Sequence, residues 1–398
     1  VAYNNTFNDA HIVNLYGGME TNSVDRHSTW FRGWGMQYSK GETPLYAYQV
    51  FKKGQEDNSP YYTMENTHIR SVAWFATGTY SYKQRYSLTG TFRYEGTNYL
   101  GKATSARWLP TWNVSGAWNA HNEKWWGDAF GSAWTNATLR LSYSLTGDRP
   151  PVTNSLPVIV ANTPWRPFAG VQETGLDQDE LGNSDLTYEK KREFNVGVDL
   201  GFLDNRINLT MDAYWRRNSD LIGYANTQLF GQYQLANVAA MRSHGFEASL
   251  TTHNIKTKDF NWTTNLIFSY TKNKITDLYS RARIIDLVQG TGYPLEGYPV
   301  RSVFSIPFKG LDKEGLPLFL DQDGNITSTG IYFQERNNTS FLKYEGPTDP
   351  TTTGSLGNVL TWKNWTLNIF VTYSFGNVVR LDPVFSNEYD DLSSTPKE

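Results

Sequence analysis

Residues 183–217 read NSDLTYEKKREFNVGVDLGFLDNRINLTMDAYWRR. Two runs in this stretch alternate apolar and polar residues around a tight turn. In the first run Phe194, Val196, Val198 and Leu200 share one face, while Glu193, Asn195 and Asp199 take the other, with Gly197 among them. The turn falls at Asp204-Asn205, whose side chains tolerate the positive φ of a short hairpin. In the return run Ile207, Leu209, Met211, Ala213 and Trp215 share a face against Arg206, Asn208, Thr210, Asp212 and Arg216. Each run is about ten residues, the length a tilted strand needs to cross a bilayer, whereas a soluble strand averages about five or six. The apolar set Phe194–Leu200 and Ile207–Ala213 is expected to face lipid, with Asn195, Asp199, Asn208 and Asp212 facing a wet lumen. A half-buried sheet of a soluble sandwich alternates in the same way, so the rest of the chain has to decide.

The 398 residues contain no apolar run of about 18, so no transmembrane helix is expected. A mean hydropathy of −0.55 does not exclude a membrane barrel, in which only every second residue is apolar. A net charge of −3 gives no basic surface for nucleic acid. Cysteine is absent, which removes disulfides, thiolate chemistry and cysteine-based zinc sites. Aromatics are abundant, with 25 Tyr, 21 Phe and 14 Trp, a load that suits interfacial girdles or carbohydrate-binding surfaces. Val1 onward has neither the basic start nor the apolar core of a signal peptide.

The same texture runs from end to end, so one architecture is expected. Residues 1–20 alternate weakly up to Gly17-Gly18, and a polar, glycine-rich stretch follows to about Pro60. A strand without clean alternation is expected around Thr67–Tyr80, and alternating strands around Leu88–Tyr94, Trp112–Trp118, Leu139–Leu145, Phe246–Leu250, Phe260–Tyr270 and Trp365–Tyr373. Residues 271–357 read as loop-rich with shorter strands. Short turns are expected near residues 83, 204, 257 and 363, and long connections after Gly96, Gly147, Arg217 and Thr271. Turns near Asp204, Lys258 and Lys363 should lie at one rim, and loops 147–185 and 217–245 at the other, the sorting of an outer-membrane barrel. Tyr82, Tyr86, Trp262, Trp362 and Trp365 flank the short turns, where an interfacial belt would sit.

Ordered blocks of this chain resemble the SusC/RagA-type TonB-dependent outer-membrane transporters of Bacteroidetes. They are YSYKQRYSLTGTFRYEG (80–96), ATLRLSYSLTGDRP (137–150), the stretch 183–222, NVAAMRSHGFEASLTTHNIKTKDFNWTTNLIFSYTKNKI (237–275), the region 296–325, and GNVLTWKNWTLNIFVTYSFGN (357–377). The resemblance implies an all-β, antiparallel transmembrane barrel of about 22 strands with an N-terminal plug. It implies location in the outer membrane of a Gram-negative cell and active uptake of an oligosaccharide or a peptide. It also implies a SusD-like surface lipoprotein as lid, the TonB-ExbB-ExbD system as motor, and no enzymatic activity. No plug, no TonB box and no aromatic-ended final strand are found in 1–398. The expectation is therefore a single partial barrel domain over 1–398, an internal piece whose outermost strands pair with polypeptide outside this sequence. The competing class is a secreted soluble β-protein that binds or hydrolyses polysaccharide.

No cofactor, metal or catalytic residue is assigned. Asp321-Gln322-Asp323-Gly324-Asn325 resembles the start of a calcium loop, but the twelfth position is Tyr332 where an EF-hand needs Glu, so a turn is expected. Asp312, Glu314 and Asp321 could still meet in a loop site. The six histidines show no HExxH pairing and no GxSxG occurs. Glu193, Asp199 and Asp212 read as lumen charges. The substrate-binding candidates are loop aromatics, on which sugar rings or peptide side chains could stack: Trp165 and Phe168 in the 147–185 loop, and Tyr224, Phe230 and Tyr233 in the 217–245 loop.

Overall fold

The computed structural model describes residues 1–381 apart from 34, 58, 60, 99–106, 132, 149–157, 163–174 and 227–232. Twelve strands form one sheet in strict sequence order. They are β1 (Ala2–Phe7), β2 (His11–Phe31), β3 (Tyr62–Tyr82), β4 (Tyr86–Thr97), β5 (Trp108–Asn119), β6 (Trp134–Asp148), β7 (Glu189–Phe202), β8 (Ile207–Asn226), β9 (Tyr233–Lys256), β10 (Phe260–Leu278), β11 (Thr352–Trp362) and β12 (Trp365–Phe375). Every neighbouring pair is antiparallel. Among the described residues, β1 and β12 form the two edges of the sheet.

The register carries the period of two across the whole wall. Val198 lies opposite Leu139 and Met211, Met211 opposite Ala248, and Ala248 opposite Phe268. The apolar rows therefore join into one outward band. Leu88, Phe92, Val114, Leu141, Phe194, Leu356 and Ile369 are all exposed on it. An exposed apolar face running over twelve strands is a lipid-contacting surface, and among the described residues no second sheet covers it. Asp199 and Asp212 lie on the opposite face, as the pattern required.

The connections sort by side. Residues 8–10, 83–85, 203–206, 257–259 and 363–364 are short, and backbone bonds tie several of them in series around one rim. The N–H of Lys83 donates to Ala10 O, that of His253 to Arg206 O, and that of Lys363 to Asp259 O, at 2.6 to 2.8 Å. Connection 120–133 lies at the same rim and carries a helix, Lys124–Phe130, whose Trp126 packs with Ala120 and Ala137. The strand ends at the opposite rim are those that 32–61, 98–107, 149–188, 227–232 and 279–351 join in sequence. The hairpin turn spans Leu203–Arg206, with positive φ at Leu203, Asp204 and Asn205.

Three boundaries differ from the expectation. Strand β2 runs through Gly17-Gly18 to Phe31 rather than ending there. Phe75, opposite Gly18 on β3, lays its ring over that glycine, so that a Cβ at Gly18 would meet it at 2.8 Å. The glycines thus seat an aromatic ring instead of breaking a strand. Residues 217–245 are mostly not a loop. β8 and β9 run on to Asn226 and Tyr233, and the connection is only 227–232. A bulge between Asn218 and Leu221, with Asp220 at φ 59°, breaks the alternation without ending the pairing. Residues 271–357 begin with the rest of β10, to Leu278. They then fold into a unit around Ala282, Leu287 and Phe304, packed by Tyr298 and Tyr344.

Candidate functional site

The inner face of the wall is mostly polar, with single apolar side chains such as Phe75, Ile267 and Phe370 among the polar ones. On β3 and β4, Thr77 faces Thr91 at 3.3 Å and Thr79 faces Thr89 at 3.0 Å. Arg93 bridges Glu20 on β2 and Glu95 on its own strand, both at 2.9 Å. The centre of the face is Arg140 on β6. Its guanidinium reaches Asp199 on β7 at 2.7 Å and Asp212 on β8 at 3.1 Å, and Thr210 donates to Asp199 at 3.0 Å. Gly197 makes this possible, because a Cβ there would lie 2.5 Å from an Asp212 oxygen and 2.7 Å from Arg140 Cζ. Nearer the long-loop rim Arg216 pairs with Glu193 and stacks 3.7 Å over the Tyr214 ring. Tyr214 in turn crosses Gly245 to reach the Thr271 hydroxyl on β10 at 2.6 Å. Such a surface presents fixed hydrogen-bonding groups and matched charges to water, and fits polar solutes passing along it.

Above the wall, residues 279–351 form an ordered cap element. A helical turn at Ile284–Leu287 leads to strand Ser302–Ser305, which pairs with Lys343–Pro347. Backbone bonds from Ile275 to Tyr298 O and from Val378 to Pro347 O fasten it to the wall. Hydrogen bonds from Arg283 hold the Asp286 carboxyl below its ordinary value. The N–H groups of Asn337 and Arg336 do the same for Glu335. The Ser305 hydroxyl, and then Lys343, lower Glu345. Asp321 accepts from the N–H groups of Asp323 and Asn325 and closes a turn on itself. Asp312 likewise accepts from Glu314 and Leu316. Among the described residues no group of three potential metal ligands forms.

Of the sequence-derived binding candidates, Tyr224 is on β8 near its long-loop end and is 65% exposed. Tyr233 opens β9, opposite Asn226. Both therefore stand on strands rather than in a loop. Trp165, Phe168 and Phe230 lie outside the described residues. Sequence reading placed Glu193, Asp199 and Asp212 on the lumen face but did not join them to Arg216 and Arg140. The signal was present in the polar half of each strand, but it needed the register to become a contact.

The family model described as "TonB dependent receptor-like, beta-barrel" matches residues 2–392. The chain is 25% identical over 404 residues to TonB-dependent receptor P3 of Formosa agariphila, covering 95% of this chain and 38% of that protein. It is 26% identical over 277 residues to TonB-dependent receptor SusC of Bacteroides thetaiotaomicron, covering 64% and 27%. Among solved structures, the RagAB peptide importer in its closed-closed state superposes with a TM-score of 0.75 at 20% identity, over 94% of this chain and 40% of the other. The chain thus spans about two fifths of the first relative and of that structure. The resemblance carried by the sequence blocks is borne out, and so is an integral place in the outer membrane. The chain belongs to the TonB-dependent receptor-like β-barrel family.

Proposed function

We propose that this chain forms part of the wall of an energised outer-membrane importer that carries an oligosaccharide or a peptide. The observation that carries the proposal is the two-faced sheet, apolar and exposed outside, with matched charges such as Arg140 between Asp199 and Asp212 inside. A soluble polysaccharide-binding β-protein has no use for so broad an exposed apolar face. Polypeptide outside residues 1–398 would complete the barrel, plug the lumen and connect to TonB-ExbB-ExbD. A SusD-like lipoprotein would seat on the long-loop rim, beside the cap element and the strand extensions bearing Tyr224 and Tyr233. Trp165, Phe168 and Phe230 would join those tyrosines in holding cargo by stacking. RagAB, whose fold this chain shares, is a peptide importer, which supports the peptide side of this reading.

The test is uptake in a strain lacking the gene, complemented with the intact gene, on panels of oligosaccharides and of peptides as sole carbon source. Growth on one panel should depend on the gene and collapse when a protonophore discharges the inner membrane. Uptake that survives the protonophore would point to a passive pore and overturn the energised reading. A surface lipoprotein should co-purify in mild detergent.

A further inference from the structure

The outward face of the wall changes character at one level. On β7, the apolar row ends at Phe194 and the next outward residue is Arg192. On β8, Trp215 is followed by Arg217. On β9, Phe246 and His244 are followed by Arg242. On β10, Tyr270 is followed by Lys272 and Lys274. The register sets these bases side by side. Arg192 lies opposite Arg217, Arg217 opposite Arg242, and Arg242 opposite Lys274, with Lys272 opposite His244 one step nearer the apolar band. All are exposed. Their side chains make no ion pair or hydrogen bond with a described residue. Like charges directly opposed across strands destabilise a sheet, and on the inner face the same strands pair their bases with carboxylates, as at Arg216 and Glu193. An unmatched row of this kind calls for an external anion.

Its height says which one. Arg217 stands ten residues beyond the turn-side end of β8 at Ile207, roughly 25 Å up a tilted strand, the top of a bilayer's apolar band. The row spans three interstrand spacings, about 14 Å. At β10 it meets a cavity of about 760 Å³ lined by Lys272, Lys274, Tyr270, Tyr298, Tyr344 and Asp349, among others. The Asp349 carboxylate is already engaged by Arg301. We infer that Arg192, Arg217, Arg242, Lys272 and Lys274 form a binding site for the phosphates of an anionic lipid in the outer leaflet, its acyl chains lying on Phe194, Trp215, Phe246 and Tyr270 below. The inference rests on the membrane placement of the wall and is independent of the cargo.

The protein purified from its own outer membrane in mild detergent is delipidated and titrated with diphosphoryl lipid A, with its dephosphorylated form, and with inorganic phosphate, following thermal unfolding. Saturable stabilisation by the diphosphorylated lipid alone is expected. The double variant Arg217→Gln/Arg242→Gln should weaken it about thirtyfold, at about 1 kcal/mol per base near an anionic surface. Lys363→Gln at the opposite rim should leave it unchanged, and unaltered mobility of the unheated protein reports that each variant is folded. Equal binding of the dephosphorylated lipid, equal binding by the double variant, or full competition by inorganic phosphate would each overturn the site. So would loss of an acidic co-purifying protein, with lipid retained, in the double variant.

Discussion

At Gly197 the absence of a side chain decides what its neighbours can do. Arg140 can lie flat between Asp199 and Asp212 only because nothing projects from the middle of the three strands. A valine there would push into backbone-anchored charge, and Gly197→Val is expected to cost about 1–3 kcal/mol, as overpacking does. Gly90 on the outward face has nothing within 4 Å of its would-be Cβ, so Gly90→Val should change stability by no more than about 0.5 kcal/mol. Unfolding midpoints of the two variants in lipid vesicles compare them directly, and equal losses would refute the role given to Gly197. The period of two told which face Asp199 and Asp212 occupy. It could not name Arg140, because a face is a property of one strand and a contact depends on the register between strands.

Hairpin β7–β8 was legible because its two strands alternate without interruption over the bilayer thickness. The continuation beyond Arg217 was not, because the bulge at Asp220 shifts the period while the ladder goes on to Asn226. The chain has no cysteine, so single cysteines can report the faces. In reconstituted vesicles Thr210→Cys should react with a water-soluble maleimide and Met211→Cys should not; equal reaction at both positions would remove the lipid–lumen division of β8. The cap element at 279–351 reads as loop-rich with shorter strands, and short strands such as Ser302–Ser305 and Lys343–Pro347 are there, but its core was not legible because it is a scatter of single residues, Leu287, Phe304 and Tyr298, with no period to detect. Its carboxylates make it sensitive to acid. Asp286, held by Arg283, and Glu345, held by Ser305 and Lys343, have folded values below their unfolded ones. Their contribution is therefore complete above the ordinary carboxylate value of about 4 and is lost as pH falls through the lower folded values. Hydrogen exchange, corrected for intrinsic rate, should show the 302–305 and 343–347 pairing lose protection below about pH 4 while β7 and β8 keep theirs. Protection of the cap unchanged at pH 3 would contradict this.

Across the whole molecule, roughly a dozen strands and two unlike rims were readable from turn spacing, and the sheet has twelve strands with short turns on one side. The closure of the wall is a separate matter, since among the described residues β1 and β12 each have one neighbour. In hydrocarbon an unpaired N–H or C=O costs several kcal/mol, so a strand edge of even six residues cannot remain open there. We expect both edges to be paired, in the membrane, with polypeptide outside residues 1–398. Residues 1–398 expressed alone should then fail to give the compact, heat-modifiable species of a closed barrel, and a cysteine pair such as Asn4→Cys with Thr372→Cys should not form a disulfide within the chain. A detergent-stable closed barrel from 1–398 alone, with that disulfide formed, would mean that β1 and β12 pair with each other. The wall would then be a narrower, porin-like channel, and the energised import proposed above would lose its structural basis, since a lumen of twelve strands leaves far less room for a plug than one of about 22.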